Sequence, residues 1–296
     1  MKKLTMEGLD RIIVAIVGPA GIGKTSLLET IRKDEKIFII SIEKGLLCVR
    51  DMLEEDLESG RVTGVEIEKI EDLKELQNAV NQNKIDARWI FIDSISDIAK
   101  FVMEKLTEKH MNSKDGFAKW NEYDKIMTQF IRTLKTSTGY NVIFTALSSV
   151  EKDESNRRYQ CVDLQGGIKK SFSSYFDEYL FMKKEDDMNM KNNNRVFVTD
   201  YVDIYPAKDR SGCLDLYEKP DLSSIYTKIM KGKKIKKLKD LINMSLSNGD
   251  SSETIKINAT AWNNKQTKPI NDIDFDEIIK MMLIDIDTQP TRKEVE

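Results

Sequence analysis

Histidine is almost missing from this sequence and cysteine is scarce. His110 is the single histidine, and Cys48, Cys161 and Cys213 stand far apart with no Cys-x-x-Cys pair. Neither a disulfide framework nor a Cys/His zinc site is expected on that count. Any mechanism that needs two histidines is excluded. Long apolar runs are missing too, since none approaches the roughly 18 residues that a membrane-spanning helix needs. Met1–Glu7 carries no apolar stretch, so no secretory signal is expected. A strong charge of one sign is likewise lacking: 47 basic and 50 acidic residues leave a net charge of −3. Whole-protein charge therefore does not advertise nucleic acid, and any polyanion must meet a local basic patch. The expectation is a soluble cytoplasmic protein with no membrane partner.

What is present suffices for a core. The chain has 296 residues, 40% of them hydrophobic and 33% charged, enough for one large α/β domain or two small ones. That mixture excludes a fully disordered chain. Short apolar runs read as buried strands at Ile12–Val17, Ile37–Ile42, Trp89–Asp93, Val142–Leu147, Glu178–Met182 and Arg195–Val202. Between them, apolar residues recur at helical spacing in Ser94–His110 and Lys119–Thr138. Strand-then-helix alternation predicts βαβ units with right-handed crossovers.

Composition shifts near residue 231. Lys231–Lys239 carries six lysines in nine positions, Ser247–Lys268 is polar and reads as a linker, and Asp272–Asp287 has a charge of −5 while carrying several Ile, Met and Leu. The predicted organisation is a core over 1–230 and, over 231–296, a lysine-rich segment, a polar linker and an acidic, mobile tail.

The chemistry-bearing motif follows the first strand. Gly18, Pro19, Ala20, Gly21, Ile22, Gly23, Lys24 and Thr25 fit GxxxxGK[ST] without a mismatch, and Ser26 opens a predicted helix. Glycines let backbone N–H groups turn onto phosphates with no Cβ in the way. Lys24 would reach the β- and γ-phosphates of ATP, and the Thr25 hydroxyl would ligate Mg²⁺. A glycine-rich β–α turn built for shape alone needs neither Lys24 nor Thr25. A second carboxylate should end another core strand, and Arg88-Trp-Ile-Phe-Ile-Asp93 supplies one. Asp93 would hold Mg²⁺ through water or, in the alternative, cap the helix from Ser94. Hydrolysis needs a base, and Glu43 ends the second strand at the same sheet edge; the alternative is a solvated turn.

These motifs resemble a RecA-like P-loop ATPase core and, more narrowly, the bacteriophage single-strand-annealing and recombination ATPases of the Sak-four group. The resemblance covers residues 9–230. It implies a mostly parallel central sheet flanked by helices, with the cell being the phage host. Phe38–Glu43 is similar to the RecA segment that ends in the catalytic glutamate, which implies that role for Glu43. Ser148–Leu164 resembles a mobile DNA-binding loop, and Gln165-Gly166-Gly167 the start of the helix after it. Ala207–Gly212 resembles the segment from which RecA-like subunits reach a neighbour's ATP, which implies a trans-acting role for Lys208 and Arg210 in a homo-oligomer. Leu147 departs from the pattern: it stands where RecA has a phosphate-sensing glutamine, and leucine cannot hydrogen-bond a phosphate.

Single-stranded DNA is the implied partner, possibly alongside a single-stranded-DNA-binding protein. Arg157 and Arg158 could neutralise phosphates, Tyr159 could stack on a base, and Lys169 and Lys170 follow. Glu151, Asp153 and Glu154 lie close by and offset that charge, so an ordinary solvated loop is the other reading. The expected activity is Mg²⁺- and ATP-dependent hydrolysis, slow and DNA-stimulated, in phage recombination, annealing or replication. The alternatives are a helicase-loader or partition-type ATPase with a protein partner, and a non-hydrolysing ATP-binding regulator.

Overall fold

Uninterrupted Ile, Val and Phe runs can only be satisfied with both faces covered, and they form the centre of a sheet. The structure is a computed structural model that describes residues 10–42, 46–112, 115–185, 194–265 and 270–287. In chain order the elements are β1 (Ile13–Gly18), a 3₁₀ turn (Thr25–Thr30), β2 (Ile37–Ser41), α1 (Arg50–Glu58), β3 (Val62–Glu66) and α2 (Ile70–Asn81). They continue with β4 (Trp89–Asp93), α3 (Ile95–Lys109), α4 (Ala118–Thr136), β5 (Asn141–Lys152), β6 (Arg158–Val162) and α5 (Gly166–Ser171). β7 (Glu178–Lys184), β8 (Arg195–Val198), β9 (Lys208–Asp209) and β10 (Tyr217–Glu218) follow, and then α6 (Leu222–Ser247), α7 (Ser252–Asn264) and α8 (Asp272–Asp287).

The strand order is β10-β8-β7-β1-β5-β4-β2-β3, with β6 on β5 and β9 on β7. All pairings from β7 across to β3 are parallel, and the pairings made by β6, β8, β9 and β10 are antiparallel. This is a mostly parallel central sheet flanked by helices, as expected. Register aligns Gly18 with Leu147 and Ser41 with Asp93, so the ends of β1, β5, β2 and β4 meet at one sheet edge. On α4, Tyr123, Met127, Phe130, Ile131 and Leu134 are buried at helical spacing. Each such side chain contributes about 1.5–3 kcal/mol through burial.

Several elements depart from the sequence reading. β3 was not expected: four of its five residues are exposed, so it shows no apolar run, and Gly64 lies against the Ile39 carbonyl. The expected strand Arg195–Val202 ends at Val198 and is followed only by a bridge between Val202 and Tyr205. Ser148–Leu164 is no open loop. β5 continues to Lys152 and pairs with β6 as a hairpin, whose turn is closed by Asp153 accepting from Ser155 N and Arg157 N. The helix after the phosphate loop is a six-residue 3₁₀ turn, closed by Thr30 Oγ1 donating to Leu27 O at 2.6 Å.

The chain divides into two units, Met1–Tyr226 and Thr227–Glu296. In the second, helix α7 occupies the stretch read as a polar linker. Ser251 caps it by accepting from Thr254 N, and Ile255 and Ala259 are buried one turn apart. Leu238, Ile242, Ile278, Ile279 and Leu283 complete a small core with them. Two apolar positions at the right spacing sufficed where average polarity misled. The Asp272–Asp287 stretch is α8, and Lys231 pairs with Asp274.

At the β7–β9 pairing, Glu178 faces Asp209 and is 1% exposed. Burial, then the hydrogen bond and charge of Asp209, push the Glu178 carboxyl up to about 8. Burial opposes ionisation of Asp209 as well, but hydrogen bonds from Glu178, Ser211 and the Leu214 and Gly212 amides outweigh it and hold that carboxylate low. The proton therefore sits on Glu178. Unfolding would return Glu178 to about 4.5, so between these values the native state holds a proton that the unfolded state releases. Stability is then greatest below the unfolded value and falls as pH rises towards 8, by up to about 1.4 kcal/mol per pH unit. Glu178→Gln should flatten that slope in urea unfolding at pH 5 to 8. An unchanged slope would place the proton elsewhere.

Candidate active site

The loop after β1 starts from a fully buried strand. Gly18 has no room for a side chain, because a β-carbon there would lie 2.7 Å from the Met182 carbonyl oxygen of β7. Gly23 has a φ of +98°, which favours glycine, and a β-carbon there would stand 2.9 Å from Arg195 Cζ and nearer still to Nη1. Lys24 is 7% exposed. Its Nζ donates to the Gly18 and Pro19 carbonyls, each at 2.9 Å. Burial brings its amine down to about 8, although Asp93 and Asp97 act the other way.

Thr25 Oγ1 donates to Asp93 Oδ2 at 2.7 Å. The other oxygen, Oδ1, lies 2.7 Å from Thr145 Oγ1 of β5. Both carboxylate oxygens thus accept from hydroxyls. Capping of α3 falls to Ser94, whose side chain accepts from Asp97 N at 3.3 Å, so the capping alternative for Asp93 is corrected. Ser96 Oγ accepts from Leu147 N at 3.0 Å and fixes the end of that strand segment.

Among the described residues no group of three or more His, Cys, Asp and Glu could hold a metal ion. The donors at the loop are hard oxygens, a hydroxyl and a carboxylate already in contact. That set fits Mg²⁺, which is commonly bound through one or two protein oxygens, substrate phosphates and water. Thr25 and Asp93 would hold it, and it would supply charge neutralisation at the phosphates. Lys24 would bind and orient the phosphate chain.

Residues 10–211, more than half of the 296-residue chain, match the family described as the AAA domain. The chain belongs to the AAA domain family. No curated protein matches its sequence. Among solved structures it is similar to a chain of the assembled ATPase EscN in complex with its central stalk EscO, from the enteropathogenic E. coli (EPEC) type III secretion system. The identity is 13% and the TM-score 0.41, over 98% of this chain and 66% of the matched one. The AAA chain therefore spans less than two thirds of that chain's length.

The remaining sequence-predicted residues of this AAA-domain chain fall into three groups. Glu43 lies outside the described residues. Arg157, Arg158 and Tyr159 sit on the β5–β6 hairpin, and Lys169 and Lys170 on α5. Arg157 Nε is 2.9 Å from Asp153 Oδ2, Tyr159 donates to Glu151 Oε2 at 2.9 Å, and Lys169 pairs with Glu151. Arg158 and Lys170 are exposed, with no carboxylate partner among the described residues. Lys208 and Arg210 lie at the amino-terminal end of β7, away from this chain's own phosphate loop. Lys208 donates to Ser173 O at 2.6 Å, and Arg210 stands 3.7 Å from Asp177. Tyr159, Lys169 and Lys208 line one cleft of about 220 Å³.

His110 closes α3, and its Nε2 lies 2.7 Å from Glu122. Cys48, Cys161 and Cys213 are free thiols. Sequence reasoning missed Thr145, Ser96 and Arg195. A threonine in the buried run of β5 and a serine on the buried face of α3 are polar residues among apolar neighbours, which is a usable signal. Arg195 carried none.

Proposed function

We propose that this AAA ATPase hydrolyses Mg²⁺-ATP and couples that cycle to single-stranded DNA in phage recombination, annealing or replication. The observation that supports the coupling is continuity along one strand. β5 touches Asp93 through Thr145, holds Leu147 against Ser96, and then runs on into the hairpin that carries Arg157, Arg158 and Tyr159. A shift at the metal-side carboxylate has only a few residues to travel before it reaches the candidate DNA surface. Leucine at position 147 gives no direct phosphate contact, so the backbone hydrogen bond to Ser96 is the available link. Glu43, at the end of the second core strand, is the proposed base. In a homo-oligomer Lys208 and Arg210 are the groups proposed to meet a neighbouring copy's γ-phosphate. The phage role rests on the sequence resemblance.

The deciding experiment measures ATP turnover by full-length protein with and without single-stranded DNA. Stimulation by DNA supports the proposal. Turnover indifferent to DNA but raised by a partner protein would favour the loader or partition-type reading, towards which the neutralisation of Arg157 and Lys169 by Asp153 and Glu151 leans. Absence of turnover under all conditions would leave a nucleotide-binding regulator.

The DNA surface has its own test. Arg157→Ala with Arg158→Ala should weaken binding and lower the slope of log K against log salt by roughly 1.4, the value for two phosphate contacts on a single strand. If the slope is unaltered, these arginines do not touch phosphate.

A further inference from the structure

We infer that Arg195 is a nucleotide ligand acting within its own chain, at the α-phosphate of the bound nucleotide. The inference rests on nucleotide binding at the phosphate loop. Its geometric basis is the close approach of the guanidinium to Gly23, where a β-carbon would stand 2.9 Å from Cζ. With glycine at that position the end of the arginine side chain rests against the loop backbone; a β-carbon would push it aside. No carboxylate pairs with Arg195 among the described residues, and the side chain is exposed. A cation lying against such a backbone, with no carboxylate partner among the described residues, is poised for an anion.

Sheet order decides which end of the nucleotide it serves. β1 lies between β5 and β7. Asp93 belongs to β4, beyond β5, and Thr25 reaches towards it. The metal end of the site is therefore on the β5 side. Thr25 and Asp93 would hold a metal that neutralises the β- and γ-phosphates, so the nucleoside end of the phosphate chain would point the opposite way, towards β7 and β8. Arg195 begins β8, paired with Lys184 at the end of β7. Gly18 and Met182 bring β7 up against the loop. The arginine thus stands on the side away from the γ-phosphate.

A ligand at that end acts on ATP and ADP alike and takes no part in cleavage of the γ-phosphate. Arg195→Ala should weaken ATP and ADP by the same factor, roughly ten- to a hundredfold for one charge-assisted hydrogen bond. AMP should be weakened too, while any residual adenosine binding should not change. In turnover assays kcat/KM should fall through KM. Arg195→Lys should recover part of the loss, since it keeps charge without the forked donor geometry.

The test uses full-length protein and displacement of a fluorescent ATP analogue, with Lys24→Ala as a control and thermal melting without nucleotide as a check of folding. If Arg195→Ala melts early, the Arg195→Lys and Arg195→Gln pair carries the comparison. A loss confined to ATP would make Arg195 a γ-phosphate contact and overturn the inference. So would unchanged affinity, or tighter binding, which would mark the guanidinium as an occupant that nucleotide displaces. If Lys24→Ala itself binds normally, nucleotide binding at this loop fails first, and that outcome is distinct from a failure of Arg195 alone.

Discussion

Lys24→Ala is expected to lose tight nucleotide binding and yet to fold at least as well as the wild type. The binding loss follows from removing a desolvated cation that faces phosphate. Truncating one partner of a buried hydrogen-bonded charge pair costs about 2–5 kcal/mol, or roughly 30- to 5,000-fold in affinity. The folding half follows from what Lys24 does without ligand. The residue is 7% exposed, and among the described residues its amine donates to the Gly18 and Pro19 carbonyls. Asp93 and Asp97 supply favourable charge, but burial outweighs them. Alanine removes that burial cost and leaves the two carbonyls beside an open loop, within reach of water. Nucleotide titration and thermal melting of the same preparation check both halves. Normal affinity, or a melting temperature several degrees lower, would contradict this account of the lysine.

Asp93→Asn is expected to remove the benefit of Mg²⁺ while sparing the fold. The amide matches the carboxylate in shape. Thr25 and Thr145 can each donate or accept, so both 2.7 Å contacts can be remade with the amide. What disappears is the negative charge. Without metal, affinity for ATP should hold or rise, because a repelling carboxylate has gone. With metal, the wild type should gain affinity and the variant should gain far less. Metal stabilisation of developing charge is worth several kcal/mol, so turnover should fall by roughly a hundred- to a thousandfold. Affinity measured in Mg²⁺ and in chelator, beside initial rates, gives the comparison. A variant with the wild-type response to Mg²⁺ would return Asp93 to a purely structural role.

Much of this site was readable because its parts are local. The phosphate loop is eight consecutive residues, and the buried run Trp89–Ile92 announces Asp93 as the residue at a strand end. Where exposure hides the pattern, reading failed: β3 is mostly solvent-facing, and α7 is mostly polar, its buried side marked by Ile255, Ala259 and the polar Asn263. The hairpin β5–β6 was missed as a strand pair because, Val162 apart, its residues are half-buried or exposed rather than uniformly apolar. Average polarity says loop, whereas backbone pairing from Ser148 to Lys152 says sheet.

The sequence by itself determined the class of chemistry and the class of fold. Loop glycines, a lysine and a hydroxyl in fixed order bind phosphate through backbone geometry that neighbouring residues alone can build, and apolar runs of strand length call for a covered parallel sheet. Tertiary structure alone decided which distant residues share the site. Thr145 reaches Asp93 because β5 was placed beside β4, and Arg195 reaches Gly23 because β8 was placed beyond β7 on the other side of β1. Strand order is set by how helices and sheet bury apolar surface together, a collective choice that no local pattern of residues records.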